Sequence, residues 1–246
     1  MTVERTHVTR RQLLARLPDA GAPGRTSYAT PESVPPLDGL GLNADDADRL
    51  AEIAESSETG SVLFARDADV TLILPPFPIE QAVTYSELYP PPLVELLQRP
   101  RTVAVCLLRL GGFSVGLFRG DALVDSKTDQ RFVKNRHRKG GQSQRRFDRI
   151  REKQVHELFG MACTESREKL QPYEDEIQHV FFGGDRHTLL AFRKECSYFE
   201  RFGPRLMHRV LPVPGDPRRA SLDLMPREIW SSEVYATSPG IPGRPG

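Results

Sequence analysis

Apolar and polar positions follow two different textures along this chain. Up to residue 100 the signals are short and broken. The segment VTRRQLLARL, 8–17, places Leu13, Leu14 and Leu17 on one face of a short helix, and 44–58 predicts an acidic helix with Leu50, Ile53 and Ala54 apolar. Between them GAPGRTSYATPESVPPLDG, 21–39, is rich enough in Pro, Gly and Ser to read as an extended linker. SVLFA and VTLIL, 61–65 and 70–74, predict two strands joined by the polar turn Arg66-Asp67-Ala68-Asp69. Residues 79–100 are punctuated by proline, with a short helix expected over 93–98.

From 101 the runs lengthen. TVAVCLLRL is a buried-strand pattern, Gly111-Gly112 supplies a turn, and FSVGLFRG returns as the second arm of a hairpin. ALVDSKTDQRFV predicts a third, more polar strand. A long helix is expected over 144–169, with Ser143 as its N-cap and Phe147, Ile150, Val155, Leu158, Phe159 and Ala162 on its core face. EIQHVFFGG reads as a strand, HTLLAFRKECSYFERFG as a helix ending at Gly203, and RLMHRVLPVP as a further strand. The order β-β-β-α-β-α-β over 101–235 predicts an α+β fold, a mixed β-sheet with packed helices, preceded by a small N-terminal α/β extension. The expected domains are a helix with a flexible linker over 1–40, an extension over 41–100, a main domain over 101–235, and a disordered tail over 236–246.

Composition narrows the class. With 38% apolar and 27% charged residues the chain is globular in character, and no apolar run approaches the ~20 residues of a membrane span. The start MTVERTHVTRR lacks the apolar stretch of a secretory signal, so a cytoplasmic protein with no membrane partner is the expectation. Cys106, Cys163 and Cys196 are widely spaced, with none in a CxxC or CxxH pair; no metal site is expected, and all three read as reduced structural thiols. The net charge of +1 hides an asymmetry: 131–153 holds ten Lys/Arg against two acids, a net of +8. A basic block inside an otherwise acidic chain points to a polyanionic partner.

The centre of that block is Lys139-Gly140-Gly141-Gln142-Ser143. Adjacent glycines reach backbone angles closed to other residues and allow close approach to a crowded surface. Arg136, His137, Arg138 and Lys139 precede them, and Arg145, Arg146 and Arg149 follow; cations so placed would hold phosphates. At the tip sits a neutral amide, Gln142, which does not titrate and so can only donate, accept and position. Its role would be to orient a nucleophile or to stabilise charge developing in a transition state.

HRKGGQSQRRFDRIREKQVHELF resembles the catalytic segment of the eukaryotic and archaeal peptide-chain release factors: basic residues, GGQS, then a helix opening with Arg146-Phe147 and Arg149. The preceding hairpin and the later strand–helix–strand match that family's RNase H-like middle domain in order. The codon-reading Asn-Ile-Lys-Ser motif does not occur in the sequence, and no counterpart of the domain that recruits a GTPase is expected. A catalytic domain without a codon reader is similar to the release-factor-like peptidyl-tRNA hydrolases of ribosome-associated quality control, in their compact bacterial form. The resemblance implies Gly140, Gly141 and Gln142 as catalytic residues, and peptidyl-tRNA on a stalled large ribosomal subunit as substrate. It implies rRNA of the peptidyl-transferase centre as partner, no cofactor, and a monomer off the ribosome.

Other readings stay open at this point. His137 as a general base, or Asp125 and Asp129 as metal-binding carboxylates, would suit a nuclease cutting the tRNA acceptor end; a polar RNA-facing histidine and solvated strand carboxylates are the plainer alternatives. A non-catalytic rescue factor that uses the loop as an anchor would need only the cations.

Overall fold

A computed structural model describes residues 3–131, 133 and 142–237, with backbone only for 142–145. The chain divides into two compact units, Met1–Arg99 with Ile229–Gly246, and Pro100–Glu228.

The first unit opens with β1 (Glu4–Val8), α1 (Arg10–Arg16), β2 (Ala22–Ala29), α2 (Ala44–Glu55), β3 (Ser61–Arg66), β4 (Asp69–Leu74), β5 (Val83–Leu88) and α3 (Pro91–Gln98). The helices start where the sequence supplies caps. Thr9 and Gln12 form a reciprocal capping box on α1, Asn43 accepts from the Asp46 amide at 2.8 Å to open α2, and α3 begins at Pro91. The β3–β4 turn places Asp67 at φ 51°, a conformation that aspartate tolerates better than most residues.

The second unit runs β6 (Thr102–Arg109), β7 (Gly112–Arg119), β8 (Ala122–Gln130), α4 (Gln142–Leu170), β9 (His179–Gly184), α5 (Arg186–Glu195), β10 (Leu206–Leu211), α6 (Arg219–Asp223) and α7 (Met225–Ile229). Its sheet has the order β10-β9-β6-β7-β8. β6, β9 and β10 are parallel neighbours, and β6, β7 and β8 form the antiparallel part. Gly184 ends β9 at φ 129°, where a Cβ would lie 2.1 Å from the Leu108 carbonyl oxygen, so glycine is needed for the chain to leave the strand here. One face of the sheet carries Cys106, Phe113, Val115, Val180 and Phe182, packed with Leu158, Phe159 and Ala162 of α4 and Phe192 of α5. The opposite face meets α6, where Leu222 lies close to Gly116.

The chain then returns as β11 (Ser232–Ala236), which completes a six-stranded sheet of order β1-β11-β4-β3-β2-β5 in the first unit. Alternate residues serve two cores. Val62, Phe64, Ile73 and Val234 pack with Leu13, Leu93 and Leu97; Leu63, Ala65, Leu72 and Tyr235 pack with Leu50 and Ala54. Burial on both faces is why these strands read as continuous apolar runs.

The α+β expectation holds: both units are sheets with packed helices. Several local expectations do not. The 21–39 linker contains β2, and the proline-punctuated stretch contains β5, both paired in the first sheet. Residues 232–236, read as part of the main domain and the start of a disordered tail, form β11, and the Thr237 amide donates to the Val70 carbonyl at 3.0 Å. Their partners β1 and β4 lie far away in sequence, so local pattern carries no sign of the pairing. The predicted helix ending at Gly203 is broken at Cys196, whose backbone is extended, and continues as 3-10 turns over Ser197–Arg205. α4 begins at Gln142, which places Ser143 inside the helix rather than at its cap. Phe147 is 43% exposed, not core. The thiol expectation is also corrected: Cys163 and Cys196 form a disulfide between α4 and the end of α5, and Cys106 is the free, buried cysteine.

Candidate functional site

The segment between β8 and α4 is fixed at its entry. The Arg131 amide donates to the Gly111 carbonyl at 3.0 Å, and Val133 is buried in the core of the second unit. Arg136, His137, Arg138, Lys139, Gly140 and Gly141 lie outside the described residues. Gln142 is the first residue of α4, and its side chain, like that of Arg145, is not described.

α4 is two helices in physical character. From Arg146 to Glu157 no described side chain is buried; the first buried residue is Leu158. At 1.5 Å per residue this stretch is about 18 Å long. Arg146 and Arg149 are exposed on it. The first turn holds no acid, so the positive end of the helix dipole is not offset by carboxylates. The four leading backbone N–H groups, at 142–145, have no acceptor within the helix and directly follow the glycine pair.

From His156 onward the helix is held by apolar, polar and covalent ties together. Leu158, Phe159, Ala162 and Leu170 are buried, and Phe159 meets Phe192 edge to face at a centroid distance of 5.6 Å. Ser166 Oγ, fully buried, donates to the Ala162 carbonyl at 2.6 Å. Charged pairs tie the helix to β8: Lys169 Nζ donates to Asp125 at 3.0 Å and Lys127 lies 3.3 Å from Glu165. Arg131, at the loop's entry, pairs with Glu157, and His156 meets Glu195 at 2.8 Å. Apart from the Ser166–Ala162 bond, these ties were invisible in the sequence because each joins residues distant along the chain.

Four groups of the second unit that could carry acid–base or nucleophilic chemistry are buried or engaged. Burial pushes the Cys106 thiol up to about 12, and its sulfur is 4.0 Å from Ser166 Oγ. Burial and the neighbouring Arg101 lower His179 to about 4, so it is neutral at pH 7. Asp125 is engaged by Lys169 and Asp129 accepts from the Gln130 amide at 2.7 Å. Among the described residues no cluster of His, Cys, Asp and Glu is arranged to hold a metal, and no helix is long and apolar enough to cross a membrane.

Known proteins are similar to this chain over part of its length. Peptide chain release factor subunit 1 of Archaeoglobus fulgidus is 29% identical over 154 residues, covering 58% of this chain and 38% of that protein. Its counterpart in Methanosphaera stadtmanae is 31% identical over 121 residues, covering 48% and 29%. The chain thus spans well under half the length of these curated relatives. The crystal structure of the archaeal translation termination factor aRF1 aligns with 91% of this chain and 73% of its own, at 18% identity and a TM-score of 0.40. A family model for the Actinobacteria/chloroflexi VLRF1 release factor matches residues 101–235, a span that holds the glycine pair, Gln142 and all of α4. That match covers more than half of the sequence, and the chain belongs to the VLRF1 release factor family.

Proposed function

We propose that this chain is a peptidyl-tRNA hydrolase that frees nascent peptides from stalled large ribosomal subunits without reading a stop codon. The observation that supports the reading is a helix that begins at Gln142, directly after Gly140-Gly141 in the sequence, with no buried described side chain from Arg146 to Glu157 and a second half anchored in the core. A helix built this way can enter a cavity without loosening its own domain.

In the proposed reaction, water adds to the ester carbonyl carbon, the bond to the terminal ribose oxygen breaks, the peptide leaves as a carboxylate, and the tRNA regains its hydroxyl. Gln142 supplies no proton, because an amide does not titrate near neutral pH. Its part is to orient the water, while N–H groups at the start of α4 face the oxygen on which negative charge develops. Gly140 and Gly141 let the backbone approach the reacting ester. Arg136, His137, Arg138, Lys139, Arg145, Arg146 and Arg149 neutralise the phosphates of rRNA and of the tRNA end. The proposed chemistry calls on no cofactor, and it would take place where ribosomes are, in the cytoplasm.

Labelled peptidyl-tRNA on purified large subunits tests this directly. Wild type should release the peptide and leave a tRNA with an intact CCA end, and Gln142→Ala should release it about 100- to 1,000-fold more slowly. Undiminished release by the variant would remove the amide from the mechanism. A shortened tRNA end would replace ester hydrolysis by nuclease action.

A further inference from the structure

A second basic feature of the same unit is built from α5 and β10. α5 carries Arg186, Leu189, Leu190 and Arg193 in the i, i+3, i+4, i+7 pattern of one helical stripe. Opposite them β10 contributes Met207, His208 and Val210, and β9 contributes Phe182. Together they line a groove of about 360 Å³.

The charge of this groove is one-sided. Its lining includes two guanidinium groups and an imidazole but no carboxylate. The acids of the adjoining helix ends are engaged: Asp185 accepts from the Thr188 amide and hydroxyl, and Glu195 from His156. Neither Arg186 nor Arg193 has an ion-pair partner among the described residues, and the Arg193 guanidinium sits 5.7 Å from the Phe182 ring. The groove is also partly apolar and open. Leu190 is 50% exposed and Val210 40% exposed, while Phe182, Leu189 and Met207 are buried. The strand beside it is distorted as well. Leu206 pairs with Val180 and Val210 pairs with Phe182, so four residues of β10 span two of β9, with His208 in the irregular part and exposed. β10 is an edge strand, and a bulge at an edge re-aims side chains beside a binding surface.

We propose that this α5–β10 groove is a second RNA-binding surface, separate from the Gly140-Gly141-Gln142 tip. Arg186 and Arg193, about 10 Å apart along the helix, each take a phosphate of one strand, and the face of a base or ribose rests on Leu190 and Val210. Planar guanidinium groups match phosphate oxygens two at a time and also stack on bases, and the exposed His208 ring adds a second stacking plane. An acidic peptide would satisfy the charges, but would leave the flat stacking surfaces unused. The choice of RNA rests on the ribosomal reading above; the groove itself does not depend on the ester chemistry.

The experiment measures binding of the full chain to a hairpin RNA with a single-stranded CCA end, and to salt-washed large ribosomal subunits, over a range of salt concentrations. Arg186→Glu with Arg193→Glu should weaken binding to at least one of them roughly tenfold or more, and should lower the salt slope by about 0.7 for each phosphate no longer neutralised. Arg186→Lys with Arg193→Lys should restore most of the slope but less of the affinity. Methyl resonances of Leu190 and Val210 should shift on adding the hairpin. Arg186→Gln with Arg193→Gln replaces the reversal if the Glu pair lowers the melting temperature. The proposal is overturned if affinity and slope for both RNAs match wild type, or if the methyls respond to an acidic peptide such as oligo-glutamate with leucines and not to RNA. Loss of RNA binding here with normal release of a pre-bound peptide, or the reverse with Gln142→Ala, separates failure of this surface from failure of the hydrolase reading.

Discussion

The two halves of α4 obey opposite rules within one continuous helix. The stretch from Arg146 to Glu157 buries no side chain, and the stretch from Leu158 to Leu170 buries four apolar residues and a serine and holds one end of a disulfide. Isolated helical segments are marginal in water, so the first half depends on the second for its order. The helix thereby divides its labour. Burial is concentrated where the helix crosses the sheet, while the leading end carries most of the charge.

That division can be broken from either end. Phe159→Ala, deep in the anchored half and packed edge to face with Phe192, should cost about 3–5 kcal/mol of unfolding free energy, read as a lower urea midpoint. Gln142→Ala at the other end should leave the urea midpoint where it was while slowing peptide release by about 3–4 kcal/mol of activation free energy. If both variants unfolded alike, the leading end would carry stability as the anchored half does. Next in size is the covalent tie. Reducing the Cys163–Cys196 bond, or replacing Cys163 by Ser, should lower stability by about 2–4 kcal/mol, seen as a fall in Tm with dithiothreitol for wild type and none for the variant. Alkylation of the unreduced protein unfolded in denaturant, followed by mass spectrometry, should find Cys106 as the thiol and the other two protected. Smaller still is Lys169→Met. Lys169 and Asp125 are each about one-third exposed, so the destabilisation should stay within about 1 kcal/mol. The smallest stability effect belongs to Arg149→Gln, within about 0.5 kcal/mol in unfolding, although the salt slope of subunit binding should fall by the equivalent of about one phosphate.

Much of the architecture was legible. β6, β7 and β9 follow from runs such as TVAVCLLRL, and α2 and α5 begin at the caps Asn43 and Asp185, because local pattern and local chemistry decide them. Errors cluster where a partner distant in sequence decides. β2 hides in a stretch rich in Pro and Gly because its hydrogen bonds go to β3 and β5. Phe147 fits the apolar period of α4, yet it precedes the point at which the helix meets the sheet, so the period alone assigns it wrongly to the core. Cys163 and Cys196 are 33 residues apart, and only the packing of α5 on α4 brings their sulfurs together. The groove residues were in plain view as RHTLLAFRKE, but their meaning needs the irregular edge strand beside them.

The sequence alone determined the chemistry available at the tip: a glycine pair, an amide that cannot titrate, and a dense block of cations, all contiguous in the chain. Contiguous residues share a location whatever the fold does, so their combination can be read directly. Tertiary structure alone decided where support ends and reach begins, which strands close the first sheet, and which cations α5 sets beside an apolar rim. Those properties are sums over interactions between remote segments, and no stretch of sequence contains both sides of such a pair.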